Sequence, residues 1–198
     1  MPQDTNDNNA DFQLLSPNAA VLGGVQSLLG APGPENTLSP IQRNSQITSA
    51  LLDSSVSSST SPNRGRNLTA VTNGALGTIT FRLRFTNNTG AAVTKLRFRV
   101  IDLTTLGNVI GTQADLRLVT SPDVTITVGG NPVMVKGLTL DSSALLPLGG
   151  GLNSTVSAGT ITVGTPLANG SEIAVQFRCG VNNGSGAFRF FINVEALP

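Results

Sequence analysis

Apolar and polar residues alternate with a period of two along most of the chain from residue 68 onward. The clearest example is TITFRLRF (78–85), where apolar residues alternate with threonine and arginine. The segment NNTG (87–90) is typical of a turn, and KLRFRV (95–100) then resumes the same alternation. Such a pattern predicts strands that each bury one face. The two segments together predict an amphipathic β-hairpin.

Six further segments show similar patterns and are separated by turn-forming Gly, Pro, Asn and Asp. They are residues 114–119, 124–128, 132–140, 154–163, 172–181 and 187–196. No helical periodicity lies between them, which argues against a parallel α/β fold. The sequence therefore predicts an all-β domain over residues 66–198. We expect an immunoglobulin-like, two-sheet antiparallel sandwich of about eight strands.

Residues 1–65 differ in composition and are interpreted as an acidic, partly low-complexity N-terminal leader, or assembly arm. Residues 1–60 contain five acidic residues and one arginine, a net charge of −4, whereas the remainder carries eleven basic and six acidic residues, a net charge of +5. This complementarity favours docking of the leader on the body of the same or a neighbouring molecule.

The local structure of the leader has two interpretations. Ser16 and Pro17 are suited to begin a helix, with Gly30 at its end, but residues 21–29 also fit a strand. The serine-rich segment 53–62 is typical of a flexible linker, so order there would require that something holds it. Eight apolar residues are candidates for packing: Val21, Val25, Leu28, Leu29, Ile47, Leu51, Leu52 and Val56.

The composition excludes several kinds of chemistry. The chain has no histidine, which rules out Ser–His–Asp and Cys–His catalysis, and no tryptophan or tyrosine on which planar ligands commonly stack. None of the eleven carboxylates falls in a recognisable catalytic pair. We therefore expect no enzymatic activity, no cofactor and no metal site.

Cysteine usage and hydropathy limit the setting of the chain. A single cysteine excludes an internal disulfide, and its alternation with Phe177 predicts that Cys179 is a small buried hydrophobe. No stretch approaches 18 apolar residues, so we expect no membrane span. The polar start MPQDTNDNNADF is unlike a signal peptide. Either the chain is intracellular, or it is a mature or recombinant form, which we favour.

The arginine-rich segments predict a docking face. No acidic residue occurs between residues 78 and 101, and like charges across a strand pair are destabilising, so a neutralising partner is expected. That partner is an acidic protein segment or an anionic polymer such as a glycan. The alternative is a solvated face whose arginine stems cover apolar surface. Nucleic acid is not expected, because the body is only modestly basic and lacks interleaved aromatics. The basic residues of this predicted face are Arg82, Arg84, Lys95, Arg97, Arg99, Arg178 and Arg189.

Phe191 is the remaining candidate for this docking face. Strict alternation of the final segment places its side chain on the outer face of the last strand, which predicts a contact with another chain. Two alternatives are that the leader packs over Phe191 in the same molecule, or that a bulge shifts the register.

Several segments resemble known bacterial proteins. FTNNTGAAVTKLRFRV (85–100) resembles the strand–turn–strand signature of bacterial immunoglobulin-like surface repeats. GPENTLSPIQRN, TQADLRLVTS and the ending VQFRCGVNNGSGAFRFFINVEALP are similar to a module at the C-termini of large uncharacterised secreted bacterial proteins. The resemblance covers residues 30–198. It implies an extracellular β-sandwich and supplies no catalytic residues.

These observations favour a non-enzymatic structural or assembly protein that is extracellular or on a cell surface. Its leader is predicted to pack on, or donate a strand to, the sandwich of a neighbouring copy and so build a homo-oligomer or filament. One alternative is a carbohydrate- or polyanion-binding module of a surface protein. Another is a viral coat or decoration protein.

Overall fold

The alternating segments form strands in the computed structural model, which describes residues 15–16, 20–29, 46–104, 114–141, 149–183 and 187–197. No helix occurs in these residues, in agreement with the predicted all-β class. The strands are β1 (Leu15–Ser16), β2 (Val21–Leu22), β3 (Val25–Gln26), β4 (Leu28–Leu29), β5 (Ile47–Leu51), β6 (Arg64–Asn67), β7 (Thr78–Asn87), β8 (Lys95–Leu103), β9 (Asp115–Val119), β10 (Val124–Val128), β11 (Asn131–Val135), β12 (Thr139–Leu140), β13 (Thr155–Ser157), β14 (Glu172–Asn183) and β15 (Phe190–Leu197).

Two antiparallel sheets form the sandwich. One contains four strands in the order β12-β13-β8-β15. The other contains five, in which β5 and β6 pair with successive parts of one edge of β7, followed by β14 and β9. The predicted sandwich is therefore confirmed, with more strands than expected because β5 and β6 join it.

The predicted hairpin of residues 78–100 is wrong. Although β7 and β8 are consecutive in the body, they lie in different sheets, and β7 pairs with β14 while β8 pairs with β13 and β15. The turn NNTG therefore carries the chain from one sheet to the other. Burial gives the physical reason, since the apolar faces of both strands must cover each other across the core.

The core lies between the sheets and is built from the inward residues of the long strands. Phe85 of β7 contacts Phe98 of β8 with ring centroids 4.7 Å apart, and Phe98 contacts Phe177 of β14 at 5.0 Å. Cys179 is fully buried in this cluster, as predicted, and burial raises the pKa of its thiol to about 12. The thiol is therefore inert as a nucleophile at neutral pH.

A second, smaller apolar cluster lies on the outer face of the five-stranded sheet. There β10 and β11 form a hairpin, and Val135 of β11 packs with Leu52 and Ala174. The N–H of Lys136 donates to the carbonyl of Ala174 at 2.8 Å, which fixes the end of this hairpin beside β14. The hairpin therefore covers one end of that sheet face.

The predicted boundary of the leader at residue 65 is too late. Strand β5 pairs with residues 83–87 of β7, and β6 pairs with residues 78–81, so both belong to the sandwich. Ile47 of β5 is buried in the main core. The body therefore extends back at least to residue 47.

The serine-rich loop between β5 and β6 is held by one side chain, that of Asn63. Its Nδ2 donates to the carbonyls of Asp53 (2.8 Å), Val56 (3.3 Å) and Ser57 (3.1 Å), and its Oδ1 accepts the N–H of Asp53 (2.8 Å). Asn63 is only 2% exposed. Because these partners lie within the same loop, low-complexity sequence adopts one conformation here without a neighbouring molecule.

The described part of the leader is a small β-structure. Strands β2 and β3 form a hairpin around Gly23 and Gly24, whose φ angles of 58° and 82° suit a two-residue turn between paired strands. Strand β1 pairs in parallel with β4. The helical interpretation of residues 16–30 is therefore wrong for the described residues, and the strand interpretation missed the turn.

Candidate functional site

The outer face of the five-stranded sheet brings together Arg82, Gln176 and Arg178. In the register of β7 and β14, Arg82 stands opposite Gln176, and Arg178 stands opposite Thr80. Residues directly opposite each other share a face, so both arginines project from the same side of the sheet. Their separation across the strand pair is diagonal, within reach of one ligand.

Neutral groups hold the guanidinium of Arg82. Its Nε donates to Gln176 Oε1 at 3.3 Å and its Nη1 to the carbonyl of Pro62 at 2.9 Å. Gln176 is held in turn, because its Nε2 donates to the carbonyl of Pro122 at 2.5 Å. A Cβ on Gly65 would lie 3.3 Å from Nη2 of Arg82, so a glycine at this position leaves room for the guanidinium. Burial lowers the pKa of Arg82.

A groove of about 320 Å³ lies over these residues. Its walls come from β6, β7, β14 and the segment that leads into β10, and none of its lining residues is acidic. The guanidinium of Arg178 makes no hydrogen bond or ion pair within the part of the chain that the structure describes. The lining residues are Gly65, Arg66, Asn67, Thr78, Thr80, Arg82, Pro122, Val124, Gln176 and Arg178.

Arg66, at one wall of the groove, is occupied by backbone carbonyls. Its Nη1 donates to Asn67 O (2.6 Å) and Thr78 O (3.0 Å), and its Nη2 donates to Leu76 O (2.7 Å). The next part of the sheet face is closed by the loop before β7. A Cβ on Gly180 would lie 1.9 Å from Asn73 O, which shows how closely that loop approaches β14.

Arg84 lies on the same sheet face but is neutralised. Its Nη1 forms an ion pair of 2.5 Å with Glu172, and its Nε donates to the carbonyl of Leu52 at 2.9 Å. Arg84 stands opposite Ala174, which belongs to the second apolar cluster. Arg84 is therefore already paired with an acid, whereas the groove that Arg82 and Arg178 line contains no acidic residue.

The prediction that Arg82, Arg84, Lys95, Arg97 and Arg99 share one face is wrong. Arg82 and Arg84 lie on β7, whereas the other three lie on β8 in the opposite sheet. Of the two residues predicted to extend this face, Arg178 on β14 does share it with Arg82, whereas Arg189 lies directly before β15, a strand of the other sheet.

On the outer face of the four-stranded sheet, Arg97 and Arg99 both bind Glu195. Arg97 Nη2 and Nε each lie 2.7 Å from Glu195 Oε2, and Arg99 Nε lies 2.6 Å from Oε1. Asn153 Oδ1 accepts a further bond of 2.9 Å from Arg99 Nη1. These are buried charges, since Glu195 is 1% exposed and each arginine 8%. The neutralising acid that the sequence required is thus within the chain, one strand away.

The remaining residues of the predicted face are exposed. Lys95 begins β8 at the surface, and Arg189 pairs with Asp102 at 3.4 Å in an exposed contact. Phe191 is 55% exposed, in agreement with its predicted outward position, while the register shifts between Phe191 and Ile192. Ile101, on the neighbouring strand at this irregularity, is 49% exposed. The contact made by Phe191 stays a prediction.

Strand β15 is the edge of its sheet, and no described residue pairs with its outer side. The N–H of Val100 donates to Ser154 O on the β13 side, so the odd-numbered residues of β8 present their backbone groups to β15. Those residues pair with positions 193, 195 and 197. The backbone groups of the intervening residues therefore point to the open edge; these residues are Ile192, Val194 and Ala196.

The predicted packing residues of the leader behave in different ways. Within β5 and its loop, Ile47 and Leu52 are buried in the body and Leu51 is half-buried, whereas Val56 is exposed. In the β2–β3 hairpin, Val21 and Val25 are 61% and 59% exposed. Leu28 and Leu29 form β4, and the predicted packing of their side chains lies outside what the structure describes.

A further buried charged pair lies within β9. Arg117 donates through Nη2 to Asp115 Oδ2 at 2.8 Å, and both side chains are almost fully buried. Burial raises the pKa of Asp115, which the bonds to Arg117 partly oppose. The pair is closed to ligands, because a Cβ on Gly149 would lie 3.0 Å from the Cβ of Arg117.

Sequence reasoning identified the arginines and Phe191 but missed three features that define the two candidate surfaces. Gln176, Thr80 and the open edge of β15 emerge only from strand pairing. Alternation in EIAVQFRCG places Gln176 and Arg178 on one face, yet nothing local indicates that β7 is their neighbour.

No protein-family model, curated protein or solved structure matches this chain. The resemblance to bacterial immunoglobulin-like surface modules therefore stays a prediction. In the described ranges, no group of three or more acidic, histidine or cysteine side chains is arranged to hold a metal ion. Those ranges also contain no helix long and apolar enough to cross a membrane.

Proposed function

We propose that this chain is a non-enzymatic structural protein of an extracellular or cell-surface assembly, and that it associates with a second copy through the open edge of β15. The observation that carries this proposal is an eight-residue edge strand with no described partner on its outer side. Such an edge is a template for pairing with another strand.

The sequence of β15 lacks the features that usually protect an edge. FFINVEAL contains no proline and no lysine, and the carboxylate of its one charged residue, Glu195, is buried against Arg97 and Arg99. The register irregularity opposite β8 falls near one end, between Phe191 and Ile192. Among the described residues, nothing pairs with the remaining edge, which leaves it available to a partner strand.

The backbone directions of β15 favour antiparallel pairing with its own copy. If Val194 stands opposite Val194 of the second copy, Ile192 stands opposite Ala196, and every outward N–H and C=O finds a partner. This register also places Phe191 opposite Leu197, which are 55% and 37% exposed. Two copies would then share one continuous eight-stranded sheet across a two-fold axis, which is a closed dimer.

The structure changes what the leader can contribute. Ile47 and Leu52, two of its predicted contact residues, are buried in their own body. A leader donated to a neighbour would have to lie within residues 1–45. In that arrangement the contact is head-to-tail and builds a filament instead of a dimer.

Analytical ultracentrifugation of the full chain over a range of concentrations tests the proposal. We expect a reversible dimer. Ala196→Pro removes an N–H from the open edge but none from the ladder to β8, and it should raise the dimer dissociation constant at least about tenfold. Phe191→Lys should have the same effect through charge on an exposed position.

Ser49→Pro is the matched control. Gln46 O accepts the N–H of Asn88 and Leu52 N–H donates to Arg82 O, so the even-numbered residues of β5 present their backbone groups to β7. The N–H of Ser49, an odd-numbered residue, therefore points to the open edge of β5 in the other sheet. Circular dichroism should show that each variant is folded. A monomeric wild type, or association lowered by Ser49→Pro but unchanged by both β15 variants, contradicts the proposal.

Deletion of residues 1–45 separates the two arrangements, since it leaves β5 in place together with Gln46, whose carbonyl accepts the N–H of Asn88. The two-fold dimer predicts that the truncated chain still dimerises. Loss of association would contradict the two-fold register and favour strand donation by the leader.

A further inference from the structure

The five-stranded sheet carries a second surface, unrelated to β15, whose charge is not neutralised by any described lining residue. We propose that the groove between β6 and the segment leading into β10 binds the sulfate or carboxylate group of an acidic polysaccharide. Arg82 and Arg178 face this groove, and neutral hydrogen-bonding groups surround them.

The lining residues give the groove a positive charge. Its lining contains three arginines and no aspartate or glutamate. The nearest acidic residue in sequence, Asp123, is already neutralised by Lys136, with Oδ2 and Nζ 2.8 Å apart. In the described part of the chain, the Arg178 guanidinium has no partner, so an incoming anion meets an available charge without displacing one.

Arg82 is oriented before a ligand arrives. The bonds from Nε to Gln176 and from Nη1 to Pro62 O fix the plane of its guanidinium and leave Nη2 without a hydrogen bond to a described residue. A planar donor held in place is suited to the oxygens of a sulfate or carboxylate. Since burial lowers the pKa of Arg82, an anion in the groove would stabilise its charged form.

The neutral lining groups fit the hydroxyls of a sugar. The side chain of Thr78 is buried, at 3% exposure, and its hydroxyl makes no hydrogen bond among the described residues. Thr80 lines the groove beside it. Both hydroxyls donate and accept, as sugar hydroxyls do. A volume of about 320 Å³ is at the small end for ligand pockets and suits one substituted ring of a longer chain.

The absence of aromatic residues from the lining distinguishes ligand classes. With no Trp or Tyr in the chain and no Phe among the lining residues, a neutral sugar ring or a nucleobase has no surface on which to stack. Recognition must depend on charge and hydrogen bonds. An acidic glycan offers both without a need for stacking, whereas a single-stranded nucleic acid would leave its bases without an aromatic surface.

Isothermal titration calorimetry of the full chain tests this site. The probes are a heparin hexasaccharide for sulfated glycans, a hexagalacturonate for carboxylated ones, inorganic sulfate, neutral dextran and a single-stranded DNA oligonucleotide. We expect at least one acidic oligosaccharide to bind in low salt, more tightly than inorganic sulfate or the oligonucleotide, and dextran not to bind. Heparin carries both sulfate and carboxylate groups, so binding of heparin without hexagalacturonate indicates recognition of sulfate, and binding of hexagalacturonate shows that a carboxylate is sufficient.

Arg178→Gln should lower the affinity for that oligosaccharide about tenfold or more, through loss of a charge-assisted contact. Arg189→Gln is the matched control, because it removes the same charge from the opposite sheet, and it should leave the affinity within about twofold. Ala196→Pro should also leave binding unchanged, so failure of the dimer and failure of the groove are distinguishable. Equal losses in both arginine variants, equal binding of the oligonucleotide, or no binding of either acidic oligosaccharide would overturn the proposal.

Discussion

Strands β7 and β8 carry the same alternating arginine pattern, but their outer faces have opposite electrostatic environments. On β8, Arg97 and Arg99 converge on one carboxylate, that of Glu195. On β7, Arg82 faces a glutamine, and its neighbour Arg178 faces Thr80. Glu172 of β14 neutralises Arg84 at one end of the β7 face, so it is the lack of an acid opposite Arg82 and Arg178 that leaves the rest of this face available.

The arginine side chains of the two faces also differ in burial. The four-stranded face contains charges that are almost fully removed from water, which is tolerated only where the ions are paired and hydrogen-bonded. The arginines of the groove remain partly exposed, so they need no acidic partner within the chain. The closed face therefore contributes to the fold, whereas the open face is free to bind.

Removal of the shared carboxylate should produce the largest change in stability. Glu195→Gln removes the carboxylate that two buried arginines share, and we expect it to lower the free energy of unfolding by about 3–5 kcal/mol. Urea denaturation followed by circular dichroism measures this. Glu172→Gln is the control, because its partner Arg84 is more exposed, and it should cost less than about 1 kcal/mol. Similar losses in the two variants would mean that burial does not separate the faces.

The open face is held by backbone carbonyls instead of a carboxylate, and Asn63 positions one of them. Asn63→Ala removes four hydrogen bonds that order the loop next to Pro62, the acceptor for Arg82. We expect a loss of about 2–3 kcal/mol in urea denaturation and weaker oligosaccharide binding. Ser59→Ala, at an exposed position in the same loop, is the control. Unchanged binding by Asn63→Ala would show that Arg82 does not depend on the loop.

Much of the fold was predictable from residues that alternate in burial. Phe81, Leu83 and Phe85 point inward and Arg82 and Arg84 outward, as the period of two requires. The serine-rich loop was not predictable, because its order depends on Asn63, a single polar residue that contacts the backbone. The pairing of β5 and β6 with β7 was missed for a related reason, since short polar strands give little periodic signal.

The candidate surfaces were less predictable than the fold. A strand pattern assigns each side chain to a face but does not say which strand lies beside it. Arg97 therefore looked like Arg82 in sequence, although Glu195 is 98 residues away along the chain from Arg97 and bonded to it in space. Only the register distinguishes a neutralised arginine from an available one.

A substitution at Thr80 should convert the open face into a closed one. Thr80→Glu places a carboxylate opposite Arg178, in the kind of cross-strand position that contributes about 0.2–1 kcal/mol when the charges are opposite. We expect a small gain in stability at low salt and loss of oligosaccharide binding, because the groove then contains its own anion. Thr80→Gln has a similar shape without the charge and should keep most of the binding. If the two variants bind equally, the charge of the groove does not select its ligand. The difference in charge between the two faces then has no effect on ligand binding.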